Sequence, residues 1–225
     1  MTPVLWIVVT VLVYAAARVA YDRTRLAVLN PAIVSIAVVM IVLVATHTPY
    51  AQYDRGGQVI AFWLGPAVVA LGVPLAQQLE RVRRNLSAIS LALVAGSITG
   101  IAVAVVVAKL LGAPPAIVRS LAPRSATTPI AIAITARLGG IPALSAVVSI
   151  ASGALGGFVG VGLLRLTGIR SRLATGLALG AAAHGLGTAR AADEGAVESG
   201  AAGLAMGAMG VLTALLAPIV VALVS

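Results

Sequence analysis

The chain has no cysteine, two histidines and six acidic residues among 225, and only 9% of its residues are charged. Without cysteine, disulfides, thiolate catalysis and Cys-based zinc or iron–sulfur sites are excluded. The shortage of charge is as restrictive: soluble domains carry about a quarter charged residues, whereas this chain is 60% hydrophobic. It reads as an all-α polytopic membrane protein, a single integral membrane domain over residues 1–225. At ~20 residues per crossing the length is used up by about seven spans and short loops, with no room for a soluble catalytic domain. The net charge of +9 does not point to nucleic acid, because the arginines stand singly or in small groups at the ends of apolar runs and no groove-reading element is present. The few aromatic residues, Trp6, Trp63, Tyr50 and Tyr53 among them, suit interfacial anchoring rather than stacking on a ligand.

Apolar runs at 3–17, 31–45, 59–76, 89–111, 142–164, 173–192 and 201–224 give the seven spans. The first follows no basic n-region and reads as a span, not a cleaved signal peptide. Asn30-Pro31 has the chemistry of a helix start. Lys and Arg collect on the cytoplasmic side, so the loops with Arg23 and Arg25, with Arg81, Arg83 and Arg84, and with Arg165, Arg170 and Arg172 are assigned there. The sparsely charged 47–58 and the acidic Asp193, Glu194 and Glu198 fall outside. The N-terminus is then outside and the C-terminus cytoplasmic, with four spans in 1–111 and three in 141–225. Both ends of 112–140 lie on the outer side, so this polar segment is expected to be a re-entrant hairpin. Spans two to four and five to seven run in opposite senses. The third is broken at Gly65, Pro66 and Pro74 and the sixth at His184, Gly185 and Gly187, the pattern of an inverted-repeat secondary transporter.

Within the hairpin, S-L-A-P-R-S-A-T-T-P at 120–129 places an arginine among hydroxyls in a lipid-soluble chain. Broken polar backbone at membrane depth is tolerated where it lines a protein-enclosed cavity, and an intramembrane Arg is by default a functional site. Pro123 and Pro129 remove backbone donors. Ser120, Ser125, Thr127 and Thr128 can partner the freed groups, and a helix restarting at Pro129 would aim its first N–H groups at the break. A helix N-terminus attracts anions, and the Arg124 guanidinium offers a forked donor matched to a carboxylate. The competing reading is an ordinary outer loop in which Arg124 is solvated and Thr127-Thr128-Pro129 is a helix cap. Arg119 and Arg137 are read mainly as snorkelling to an interface.

The second polar break, A-A-A-H-G-L-G-T-A-R at 181–190, holds His184 between an alanine run and Gly185 and Gly187. An imidazole titrates near neutrality, so His184 is a candidate for carrying a coupling proton or donating to a bound carboxylate, with Thr188 adjacent and Glu198 as a second proton-coupling candidate. The alternative is a neutral His bonded to neighbouring helices. Asp193, Glu194 and Glu198 have no His or Cys at metal spacing, so neither a metal nor a cofactor is assigned. The glycine pattern fails as a dinucleotide fingerprint, lacking any βαβ unit. Gly96 and Gly100, Gly203 and Gly207, and Gly153, Gly156, Gly157 and Gly210 read as close-packing positions. No nucleophile–base pair or metal dyad supports an enzyme.

Asn30-Pro31, L-G-P-A with a later V-P-L across 64–75, S-L-A-P-R-S-A-T-T-P-I-A at 120–131 and G-A-A-A-H-G-L-G-T-A-R-A at 180–191 resemble the LrgB/CidB family of bacterial membrane proteins. The resemblance runs over essentially the whole chain. The family's S-L-A-P-[KR]-S pattern falls on 120–125, its T-T-P on Thr127, Thr128 and Pro129, and its H-x-x-G-T-[AS] on His184, Gly187, Thr188 and Ala189; the acidic run after the histidine is thin here. The resemblance implies either a holin- or antiholin-like modulator of murein hydrolase export and lysis, working with a small LrgA/CidA-like membrane partner, or a carrier of small monocarboxylates. The plastid relatives are regarded as glycolate/glycerate carriers, and bacterial ones are linked to pyruvate. The expectation carried forward is alternating-access carboxylate transport in a bacterial plasma membrane by a homo-oligomer, a dimer, with the holin-like channel or regulator as rival.

Overall fold

The computed structural model describes residues 3–24, 29–63, 66, 73, 76 and 79–224. Among them every regular element is helical. The chain forms two compact units, Met1–Ala70 and Leu71–Ser225.

In the first unit α1 (Pro3–Thr24) packs on α2 (Pro31–Ala45) and α3 (Tyr50–Phe62). The Asn30 side chain caps α2, its Oδ1 accepting from the Ala32 and Ile33 amides at 3.0 and 3.4 Å, with Pro31 opening the helix. Thus the Asn30-Pro31 start is present. The stretch 47–58, read as an outer connection, is instead mostly α3. Gly56 makes this possible: a Cβ there would lie 2.5 Å from the Pro3 carbonyl oxygen and 3.1 Å from the Trp6 Cβ. The close approach seals Trp6, 1% exposed, against Tyr53 in an edge-on contact at 5.8 Å. Trp6 is therefore core and not an interfacial anchor, because α3 supplies the apolar cover that a loop would not. Of the third span, 59–76, Gly65 and Pro74 lie outside the described residues; Pro66 is an exposed helical residue.

In the second unit α4 (Leu79–Arg84) leads into α5 (Leu86–Leu110), α6 (Pro115–Leu121), α7 (Thr128–Leu138), α8 (Pro142–Leu166), α9 (Arg172–Glu194) and α10 (Ala196–Val224). Val82, Ile89 and Leu93 share a core with Ala205 and Met209, while Ile101, Val105 and Ala108 share one with Ala217 and Val221. α5 and α10 hence run parallel. α8 runs against them, its start held where the Ser120 hydroxyl accepts from the Ile141 amide and its end beside α9.

α9 is not one continuous crossing. At His184 the backbone takes φ 37°, ψ −122°, far from helical values. Beyond that residue the chain doubles back, so that a Cβ on Gly187 would meet the Leu179 carbonyl and the Ala183 methyl. Leu179 and Ala191, which a straight helix would hold about 18 Å apart, belong to one cluster with Val161 and Ala202. Both ends of α9 consequently emerge together: Arg172 pairs with Glu198 at 3.8 Å and Glu194 with Arg165 at 2.9 Å. The sixth apolar run was expected to traverse once; a single left-handed residue with flanking glycines reverses it.

Among the described residues four helices, α1, α5, α8 and α10, are long and apolar enough to cross a membrane, and α2 and α7 are shorter apolar helices. At most 39% of the most apolar stretch of any of the four is buried within the chain. Leu91, Val147, Leu155, Leu163, Leu215 and Leu223 stand exposed on α5, α8 and α10. Apolar surface of this extent needs a nonaqueous neighbour.

Candidate functional site

α6 and α7 flank a break at 122–127 whose residues reach the middle of both long neighbours. The Ser125 Oγ lies 3.3 Å from where a Cβ on Gly100 of α5 would sit. The Ala126 carbonyl accepts from the Ser149 hydroxyl of α8 at 2.9 Å, and Arg124 Nη1 donates to the Ser152 hydroxyl at 3.2 Å. From the opposite end of the unit the reversal of α9 brings His184 to the same stretch of α8. Its Nε2 lies 2.9 Å from the Ser149 carbonyl and 3.4 Å from the Ser149 Oγ. A carbonyl only accepts, so this nitrogen carries the proton.

Ser149 thus touches both breaks, its hydroxyl one and its carbonyl the other. Ser149, Ser152 and Gly153 lie at i, i+3 and i+4 and share one face of α8. The glycines of that face admit the second break: a Cβ on Gly153 would come within 2.6 Å of the His184 Cε1, and one on Gly156 within 2.6 Å of the Ala183 Cβ. The close-packing reading of Gly153 and Gly156 agrees with this geometry.

Arg124 is half-buried, and among the described residues its hydrogen bond goes to a neutral hydroxyl and no carboxylate pairs with it. It lines two cavities. One, an open groove of about 450 Å³, lies along α8 at Val147, Val148, Ala151, Ser152, Leu155, Gly156 and Val159, with Val147, Leu155 and Val159 exposed. The other, of about 420 Å³, lies between α5, the first half of α9 and Met209, and takes in Ser125. α7 begins at the break with Thr127 in the cap position and no side-chain cap bond, so its first amides have no side-chain acceptor. Thr127, read as a helix cap in the competing account, holds the position without the bond. The forked cation of Arg124 and the hydroxyl of Ser125 on the wall of one cavity are a donor set for a small anion.

Not every expected residue joins this set. Ser120 is fully buried, donating to the Ala116 carbonyl at 2.6 Å and accepting from Ile141; it fixes the start of α8 and does not face Arg124. Thr188 donates to the His184 carbonyl at 2.8 Å and touches the Met206 sulfur, bracing the reversal. Glu198 is buried at the arginine-rich end beside Gly176 and Gly195, and His184 lies eight residues beyond Gly176, about 12 Å along the half-helix. The two proton-coupling candidates are not together. Gly185 and Gly187 differ as well: the first is exposed with nothing within 4 Å of a Cβ, the second is buried against Leu179 backbone. Pro123 is fully buried and Pro129 exposed at the start of α7. Thr127 and Thr128 are half-buried beside the break.

Ser149 and Ser152 were missed in the sequence. The signal was present as S-x-x-S-G inside an apolar helix, hydroxyls and a glycine on one stripe.

Fold and site together define an α-helical membrane protein built round two broken segments that meet beside an arginine. Residues 10–223 match the LrgB-like family, and the chain belongs to it. Among its relatives are the antiholin-like protein LrgB of Bacillus mycoides (strain KBAB4), of Bacillus cereus (strain B4264) and of Bacillus anthracis (strain CDC 684 / NRRL 3495). Each is 32% identical over 219 residues, covering 97% of this chain and 95% of the relative. No solved structure matches the chain.

Proposed function

We propose that the second unit binds a small carboxylate at Arg124 and carries it across a bacterial plasma membrane by alternating access. The observation that carries this reading is the guanidinium itself, lining two cavities with a neutral hydroxyl as its hydrogen-bond partner. A cation at bilayer depth is costly unless something compensates it, and an anionic substrate does so. Apart from Ser125 and Ser152 the walls are otherwise alanine, glycine, valine, leucine and methionine, which suits a single carboxylate on a small body with few polar groups, such as glycolate, glycerate or pyruvate. In this reading 112–140 and α9 are re-entrant hairpins entering from opposite faces, α5, α8 and α10 are the crossings, and the inverted repeat pairs each hairpin with the helix before it. With Arg83, Arg84, Arg165, Arg170 and Arg172 at one end and Lys109, Arg119 and Arg137 at the other, the end richer in basic residues is taken as cytoplasmic. Because α9 turns back, α10 then ends outside, reversing the cytoplasmic C-terminus expected when the sixth run was taken as a crossing.

The second reading is the antiholin-like modulator. The names of the relatives favour it over the carrier, and in it a homodimer or a small LrgA/CidA-like subunit would be the working partner. Uptake of labelled glycolate and pyruvate into proteoliposomes of the purified protein separates the two. Saturable uptake, accelerated by internal unlabelled substrate and lost in Arg124→Ala, supports the carrier. Non-saturable leak, or no flux at all, supports the modulator.

A further inference from the structure

Gly96 and Gly100 stand one turn apart on α5 and share a spacing that reads as helix packing, yet the structure separates them. A Cβ at Gly100 would press on the Ser125 hydroxyl at 3.3 Å, so that glycine serves close approach; a Cβ at Gly96 would meet nothing within 4 Å. The space it faces is the cavity of about 420 Å³ that contains Arg124 and Ser125. Ser125, 7% exposed, lies on the wall of that cavity beside Arg124 and offers it a hydroxyl. The polar groups lie at one end. Away from them the walls are Leu93, Leu177, Ala178, Ala181 and Met209.

We propose that Gly96 sets the length of substrate this cavity accepts: the carboxylate lies at Arg124 and Ser125, the apolar body extends toward α5, and the missing side chain leaves room for its far end. This rests on the carboxylate-carrier reading above. Gly96 is exposed and a Cβ there meets no protein atom within 4 Å, and alanine or leucine favours the helix over glycine, so the variants are expected to fold.

The test is counterflow in proteoliposomes with glycolate, lactate, 2-hydroxybutyrate and 2-hydroxyvalerate, using wild type, Gly96→Ala, Gly96→Leu and, as a control, Gly162→Leu, whose position on α8 is equally unobstructed but outside both cavities. Size exclusion in a hydrophobic pocket is worth about 10-fold or more per added carbon group. Gly96→Leu is expected to lower kcat/KM for the five-carbon acid at least 10-fold relative to glycolate, Gly96→Ala to fall between, and Gly162→Leu to match wild type. Saturable transport with an unchanged length preference in Gly96→Leu, or an equal loss for every length, overturns the inference and leaves the carrier intact. Absence of saturable flux in wild type overturns both.

Discussion

Arg124 is a cation whose hydrogen bond, among the described residues, goes to the hydroxyl of Ser152, and that makes the pair separable by mutation. Ser152→Ala leaves the charge but frees its direction. Hydrogen bonds to charged groups are worth about 1.5–3 kcal/mol, so KM for a carboxylate should rise at least several-fold with kcat less affected, measured as initial uptake. Arg124→Lys keeps the charge and loses the fork; partial activity is expected, against none in Arg124→Ala. His184 carries a different load. Its positive φ costs a non-glycine residue about 1–3 kcal/mol, which the bond to the Ser149 carbonyl helps offset. His184→Asn, tolerant of positive φ and still a donor, should keep the protein monodisperse and close to wild-type thermal stability in detergent, whereas His184→Val should not. Arg124 and His184 were legible as polar residues inside apolar sequence. Ser149 and Ser152 were not, since serine in a lipid-soluble helix usually bonds back to its own turn, as Ser35 does to Pro31.

At the scale of the element, the two chain breaks were unequally visible for a physical reason. The stretch 112–140 announces itself with Pro114, Pro115, Pro123 and Pro129, each of which removes a helical hydrogen bond. α9 has no proline and an apolar run, 173–192, of about 20 residues, the length of a crossing, so its reversal at one residue could not be told from a mild kink by hydropathy. The glycines that allow it are now distinguishable. Gly187→Val drives a side chain into Leu179 backbone; overpacking costs about 1–3 kcal/mol even where neighbours yield, and backbone yields little. The variant should lose expression or aggregate, by fluorescence-detected size exclusion, while Gly185→Ala, with open space around it, should behave as wild type. Equal tolerance of both would mean that α9 does not double back.

For the molecule as a whole, the membrane class and the family could be read from the chain, but the reversal of α9 could not, because an apolar run of crossing length carries no mark of a turn within it. The absence of cysteine makes the proposed topology directly measurable. Single cysteines at Ile169 and Leu223 should react with a membrane-impermeant maleimide from opposite sides, Ile169→Cys from the cytoplasm and Leu223→Cys from outside; labelling of both from the cytoplasm would restore α9 as a crossing. The proposed anion site can be tested apart from transport, so its most direct test is binding, not flux. We would titrate pyruvate and glycolate into the detergent-purified protein by calorimetry, comparing wild type with Arg124→Ala. The account predicts saturable binding that weakens at least 10-fold in the variant, the loss expected for a charge-assisted hydrogen bond; equal binding by the two proteins would contradict it.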